Sequence, residues 1–472
     1  MKKPIYRSLL PIMLLLFMPF DLYAAQFNGD SLSLFWGVPF IGILLSIALM
    51  PLFLPQLWHH HYGKIICGWT LLFLVSALFS FGLQSTIYLT AHAILEEYIP
   101  FILLLLALFT VSGGILVKSP MKSTPKFNVG LLALGTLLAS IMGTTGAAML
   151  MIRPLIRANR ERQYTVHTVI FFIFLVANIG GGLTPLGDPP LFIGFLKGVS
   201  FSWTVKHMLL PVWLTTAILL AIYYMIDRHY FCRQYGKLAT TMTAKSKEPT
   251  KVYGIKNLLL LVAIIANVLV SGIWQSSISF TILGAHITLS NLIRDLFFIL
   301  ITLISIRITP KQVRAGNEFN WDPLIEVAKL FIGIFITIVP MLAILRAGNN
   351  GALASLVSLV NTSQGEPING MYFWFTGLLS GFLDNAPTYL VFFNLAGGDA
   401  PMLMTTLTNT LLAISMGSVF MGALSYIGNA PNFMVKNIAS QNNIAMPGFF
   451  GYMKWSVAIL IPVFIVNHLI FF

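Results

Sequence analysis

An all-α integral membrane protein built as two inverted repeats is the fold class this sequence predicts, and three observations predict it. Hydrophobic residues make up 57% of the 472 and charged residues 9%, against roughly 45–50% and 25% in soluble domains. The apolar stretches recur at lengths near the ~20 residues one helical crossing needs, which leaves room for about eleven or twelve spans and no separate soluble domain. Two pairs of Gly/Pro-rich interruptions stand half a chain apart: Met142 to Ala147 with Gly182 to Pro190, then Leu383 to Pro387 with Ala423 to Pro431. Thr144 and Asp384 are 240 positions apart and Asp188 and Asn429 are 241, so the spacing is kept to within one residue. Such spacing marks an internal duplication.

In chain order, Lys2, Lys3 and Arg7, an apolar run through Phe20 and the small pair Ala24-Ala25 make residues 1–25 a signal-peptide pattern. A first crossing is the competing reading, and either one leaves Gln26 to Asp30 outside. Apolar segments then cover 32–54, 65–83, 88–117, 128–157, 165–196, 208–226, 257–274, 292–308, 327–346, 371–395, 403–436 and 454–472. Segments 128–157 and 371–395 carry their break near the middle and are expected as re-entrant hairpins. The domain division is then a first half over 26–226, a basic cytoplasmic linker over 227–256 and a second half over 257–472.

Charge placement supports that path. The formal net charge of +13 gathers at segment ends, a topology signal and no sign of nucleic-acid binding. Lys118, Lys122 and Lys126 precede segment 128–157 and Arg153, Arg157, Arg160 and Arg162 follow, as expected if that hairpin enters and leaves from the cytoplasm. The loop from Arg228 to Lys256 is also basic, with a polar, flexible stretch at Thr240 to Pro249, whereas Ala347 to Val435 holds no Lys or Arg and belongs outside. Five crossings separate the hairpins, so the second enters from the opposite face and the repeats are inverted. Asn317 to Glu326, with Trp321 and Asp322, is expected as an interfacial cytoplasmic helix. His59-His60-His61 is expected in a solvated loop, and Cys67, in an apolar span, and Cys232, in a basic loop, as free thiols.

Unwound backbone inside a bilayer implies a protein-lined or wet cavity, and a buried carboxylate implies a cation or proton partner. Pro189 and Pro190 lack amide hydrogens, so carbonyls of the preceding turn are left for a ligand. Thr144, Thr145, Thr184 and Asp188 form one candidate oxygen cluster, and Asp384, Asn385, Ser425, Asn429 and Asn432 form its counterpart. Hard cations take several oxygen ligands, so Asp188 and Asp384 are the candidate sodium ligands. The same two carboxylates are proton-coupling candidates, as are Glu96 and Glu97, where His92 and Glu96 share a helix face at i, i+4. Each hydroxyl has an ordinary alternative as a back-bond to the previous helical turn.

Gly181 to Pro190, Leu383 to Thr388 and Gly428 to Asn432 resemble the ion transporter superfamily, specifically the NhaD-type sodium/proton antiporters and their putative citrate-transport relatives, over about residue 32 to the end. The resemblance implies two inverted repeats, each with a re-entrant hairpin and a discontinuous helix, usually in a homodimer. It matches Asp384-Asn385 to the antiporters' acidic hairpin tip, while Thr144-Thr145 stands where a second Asp-Asn is expected, and neither tip carries the Ser-Asn-Thr of dicarboxylate symporters. The function expected is sodium/proton antiport by an inner-membrane, multi-pass protein without cofactor, carrying sodium and protons as transported species. The alternative is sodium-coupled uptake of citrate or another organic anion. No His-Glu-x-x-His or Gly-x-Gly-Asp pair points to an enzyme.

Overall fold

The computed structural model describes residues 29–118, 123–236, 251–274 and 276–472. The signal-peptide segment 1–25 and the stretch Thr240 to Pro249 lie outside these residues. The described chain is helical, and eight of its helices are long and apolar enough to cross a membrane, or nine if one bent pair counts as a single span. Two short antiparallel strand pairs join loops: β1 (Leu116–Lys118) with β2 (Lys251–Tyr253), and β3 (Ser279–Ile282) with β4 (Ala285–Thr288). The protein is a multi-pass membrane protein.

The first half opens with α1 (Val38–Phe53) and α2 (Pro55–His92), the latter bent at Gly82. A π-turn over Ala93–Tyr98 leads into α3 (Ile99–Ser112). Pro100 gives no N–H to the carbonyl of Glu96 and its ring crowds that carbonyl, which favours the wider turn. The expected loop at His59-His60-His61 is instead helix, because the helix of the apolar run extends back through polar residues to Pro55, which suits its first turn; the three side chains are exposed.

A helical pair follows. Thr124 caps α4 (Pro125–Met142) by accepting from Phe127 N at 3.2 Å, and Gly143 turns the chain into α5 (Thr144–Ala158). Gly143 sits at φ 81°, ψ 151°, a conformation open almost only to glycine. After α6 (Val166–Leu175) come a 3-10 turn (Ile179–Leu183), a tight turn closed by Gly187 N donating to Thr184 O, and α7 (Pro189–Leu196). Helix α8 runs Phe201–Tyr235, nine residues past the expected end at 226, so Cys232 is on this helix and not in a loop. Both cysteines are free.

The second half contains α9 (Lys256–Ile273), α10 (Leu289–Ile308), α11 (Lys311–Gly316) and α12 (Asp322–Thr337), which bends by 45° into α13 (Val339–Arg346). The interfacial helix expected over Asn317 to Glu326 is not there. Residues 317–321 form a turn with Glu318 at φ 47°, and Asp322 already starts α12, since Pro323 suits a first helical turn. Short α14 (Ala354–Val360) precedes the pair α15 (Asn369–Ser380) and α16 (Asn385–Leu395). Then come α17 (Ala400–Met404), α18 (Thr408–Phe420), a 3-10 turn (Met421–Leu424), α19 (Ala430–Gln441) and α20 (Phe449–Phe471).

Helices α6 and α18 occupy the centre. His167 to Leu175 and Thr410 to Phe420 are buried throughout, as expected of helices enclosed on every side. Helices α9 and α10 instead expose Leu259, Val262, Leu296 and Leu303, a surface suited to lipid.

Candidate functional site

Each central helix breaks in the same way. After α6, Thr184 and Asp188 are extended, with φ of −136° and −137°, before α7 begins at Pro189. After α18, Ser425 and Asn429 repeat this at −138° and −152° before α19 begins at Ala430. The hydrogen bonds repeat too. Thr184 Oγ1 donates to Ser140 O and Ser425 Oγ to Gly381 O, both at 2.5 Å; Leu186 N donates to Thr184 Oγ1 and Ile427 N to Ser425 Oγ, both at 3.2 Å.

Every one of these equivalent pairs is 241 positions apart. Gly143 and Asp384, the N-cap residues of α5 and α16, fall on the same spacing. Thr144 therefore corresponds to Asn385, and the sequence pairing of Thr144 with Asp384 was one residue out of register. The position answering to Asp384 in the first half is Gly143.

Asp188 is the meeting point of the breaks. It is 2% exposed and accepts from Thr144 Oγ1 at 3.1 Å, from Asn385 Nδ2 at 2.8 Å and from Asn429 Nδ2 at 3.4 Å. One carboxylate thus gathers donors from both helix-pair tips and from the opposite break. All three are neutral, and no Lys, Arg or His pairs with Asp188 among the described residues. Asn385 also accepts from Ser380 Oγ at 2.7 Å.

The other expected residues are placed as follows. Asp384 is half-buried, and its carboxylate accepts Ala386 N at 3.1 Å as the cap of α16, with no hydrogen bond to Asp188 among the described contacts. Asn432 donates to Gly422 O and Ser425 O, both at 2.9 Å, and holds the second break closed on itself. Thr145 lines a cleft of about 730 Å³, counting its open mouth, with Leu108, Phe192, Leu324 and Met434. Asp188 is the one ionisable residue lining that cleft among the described residues.

Glu96 and Glu97 lie elsewhere, in the π-turn. Glu96 pairs with His92 at 3.1 Å and accepts His286 N from β4 at 2.7 Å. Glu97 is ion-paired with Lys197 at the end of α7, a partner 100 residues away that no local pattern could announce. Asn178, buried in the turn after α6, also reaches the site and was passed over in the sequence. Its signal was a lone amide within an otherwise apolar run from Val169 to Ile179.

Tight packing keeps the cluster together. A Cβ added to Gly181 would come 2.6 Å from Thr144 Cγ2 and 2.9 Å from Asp188 Cβ, so one of the two must move. Gly181→Ala is therefore expected to cost about 1–3 kcal/mol of stability, more than Gly130→Ala, whose added Cβ meets nothing within 4 Å. Melting the two variants side by side would check this.

Residues 29–472 match a protein family described as putative citrate transport. No curated protein shows significant similarity to the chain.

Proposed function

This chain belongs to the putative citrate transport family, and from that membership and the Asp188 cluster we propose that it is a secondary active transporter of the inner membrane exchanging sodium for protons. One observation carries the reading: a nearly inaccessible carboxylate, reached from both halves of the chain, whose partners are all neutral.

A carboxylate at membrane depth costs about 2.5–3.5 kcal/mol on insertion scales, and each hydrogen bond to a charged group returns about 1.5–3 kcal/mol. The Asn385 bond, at 2.8 Å the one short contact of the three, brings the empty charged state close to balance. Asp188 can then take either a proton or sodium; its carboxylate, Thr144 Oγ1 and the amide oxygens of Asn385 and Asn429, once those amides turn, supply the oxygens a hard cation needs. A carboxylate holding sodium does not also hold a proton, so competition couples the two flows without covalent chemistry.

The path in the membrane belongs to the same reading. The α4–α5 and α15–α16 pairs act as re-entrant hairpins from opposite faces, and the uniform 241-residue correspondence supports an inverted repeat. Alternating access follows when the body holding both breaks shifts between faces.

A second reading, sodium-coupled citrate uptake, is favoured by the family description and by the uncapped start of α5 at the cleft, where Gly143 offers no side-chain cap. Free N–H groups of a helix start attract carboxylates. Against it, no basic side chain among the described residues lines the cleft. Everted membrane vesicles carrying a pH-sensitive dye separate the two: sodium collapsing a preformed proton gradient supports exchange, and sodium-dependent citrate accumulation without that collapse overturns it.

Asp384 is tested apart from its capping role. Asn caps helices about as well as Asp, whereas Ala costs about 1 kcal/mol. Asp384→Asn is expected to melt like the wild type yet exchange more slowly, and Asp384→Ala to lose stability as well. Wild-type exchange in Asp384→Asn would leave this residue a cap alone.

A further inference from the structure

Asn178 is 0% exposed and sits where α6 gives way to the 3-10 turn, at φ −137°, ψ −78°. There both Val176 N and Ala177 N turn to Phe172 O, leaving Ile173 O without its usual helical donor. Asn178 Nδ2 fills that gap at 2.8 Å and donates also to Asn432 Oδ1 at 2.7 Å. Two acceptors on one side fix the amide's orientation, so Asn178 Oδ1 is turned to the other side, where Asn429 Nδ2 lies 3.4 Å away.

Asn429 Nδ2 is surrounded by three oxygens: Ala177 O at 3.1 Å, Asn178 Oδ1 at 3.4 Å and Asp188 Oδ1 at 3.4 Å. Asn178 and its neighbour's carbonyl thus decide where that amide points. The position answering to Asn178 in the second half, 241 residues on, is Val419, which is apolar and buried. The amide bridge therefore breaks the repeat's symmetry and exists on the Asp188 side only.

We propose that Asn178 is a positioning residue for the ion site: it holds Asn429 against Asp188 and locks the second break, through Asn432, onto the first. The proposal rests on the reading of Asp188 as an ion site. Without Asn178, the Asn429 amide can swing away from the carboxylate, and Asn432 Oδ1 loses its donor.

The test is the sodium dependence of exchange in vesicles. Asn178→Ala is expected to raise the sodium KM about tenfold, the equivalent of one lost hydrogen bond of ~1.4 kcal/mol, with the maximal rate within about twofold. Asn429→Ala, which removes the donor to Asp188 itself, should raise the KM at least as much, and the double variant should be no worse than Asn429→Ala alone, because Asn178 reaches the carboxylate through that amide. Effects that multiply, an unchanged KM, or a fall confined to the maximal rate would overturn the proposal. If Asn178→Ala does not accumulate, Asn178→Ser is scored by the same split.

A transport-independent arm uses the purified full chain in detergent, where sodium should raise the wild-type melting temperature and Asn178→Ala should need more sodium for the same rise. Sodium stabilisation without exchange defeats only the exchange reading. No sodium effect on the wild type in either assay defeats both.

Discussion

Asp188→Asn is expected to abolish sodium-driven proton movement, lowering the rate at least a hundredfold, while the protein still accumulates and melts close to the wild-type temperature. The substitution keeps the shape of the side chain but removes the carboxylate proposed to bind both ions. It also turns an amide nitrogen toward one of the donors now serving the carboxylate, Thr144 Oγ1 or Asn385 Nδ2. The stability expectation has a separate cause. A buried carboxylate without a charged partner opposes folding, so its neutral isostere is tolerated at about ±1 kcal/mol, unlike the loss of one member of a buried ion pair. Transport assays and thermal melting on the same preparation check both halves. A variant that exchanged at even a tenth of the wild-type rate would remove Asp188 from the centre of the account.

Asp227→Ala is expected to have the largest effect on stability, about 3–5 kcal/mol. Asp227 is 0% exposed and ion-paired with Arg162; it also accepts His167 Nε2 at 2.9 Å and Asn128 Nδ2 at 3.3 Å. These three partners come from α4, from the turn after α5 and from α6, so the carboxylate, carried on α8, ties the first helix pair to the central helix. Among the described residues, Arg162 has no alternative carboxylate partner to fall back on. Its Nε and Nη2 are already buried without a hydrogen bond, and its guanidinium lies over Phe231 at 4.8 Å. Removing Asp227 leaves that charge uncompensated. Arg162→Ala in the same chain should recover part of the loss, because the pair then vanishes together. A double variant that melts at the sum of both losses would mean the two residues act separately.

The breaks were legible in the sequence because Gly and Pro cannot be hidden in a helix, and a duplicated pattern of them fixes a spacing. Their register was one residue out for a definable reason. Thr144 was matched to Asp384 by side-chain chemistry, whereas the chain aligns by the conformation of the cap: Gly143 and Asp384 both stand just before a helix. Helix ends were least legible where polar residues continue a helix. Arg228 to Tyr235 resembles a solvated linker, yet it is the last part of α8, just beyond Asp227, which faces Arg162 and His167. Contacts across the fold, such as Asn178 with Asn432, 254 residues apart, and Glu97 with Lys197, leave no mark in local patterning. Only a lone polar residue in an apolar run hinted at the first of them.

Exchange by competition at one carboxylate requires that sodium displace a proton from the resting protein. The purified chain, in detergent and weakly buffered below neutral pH with a pH indicator, should release protons as sodium is added. The release should saturate with sodium binding and be absent in Asp188→Asn. Sodium that binds the wild type, seen as a rise in melting temperature, but frees no proton would contradict competition at Asp188 and turn the account toward sodium-coupled anion uptake.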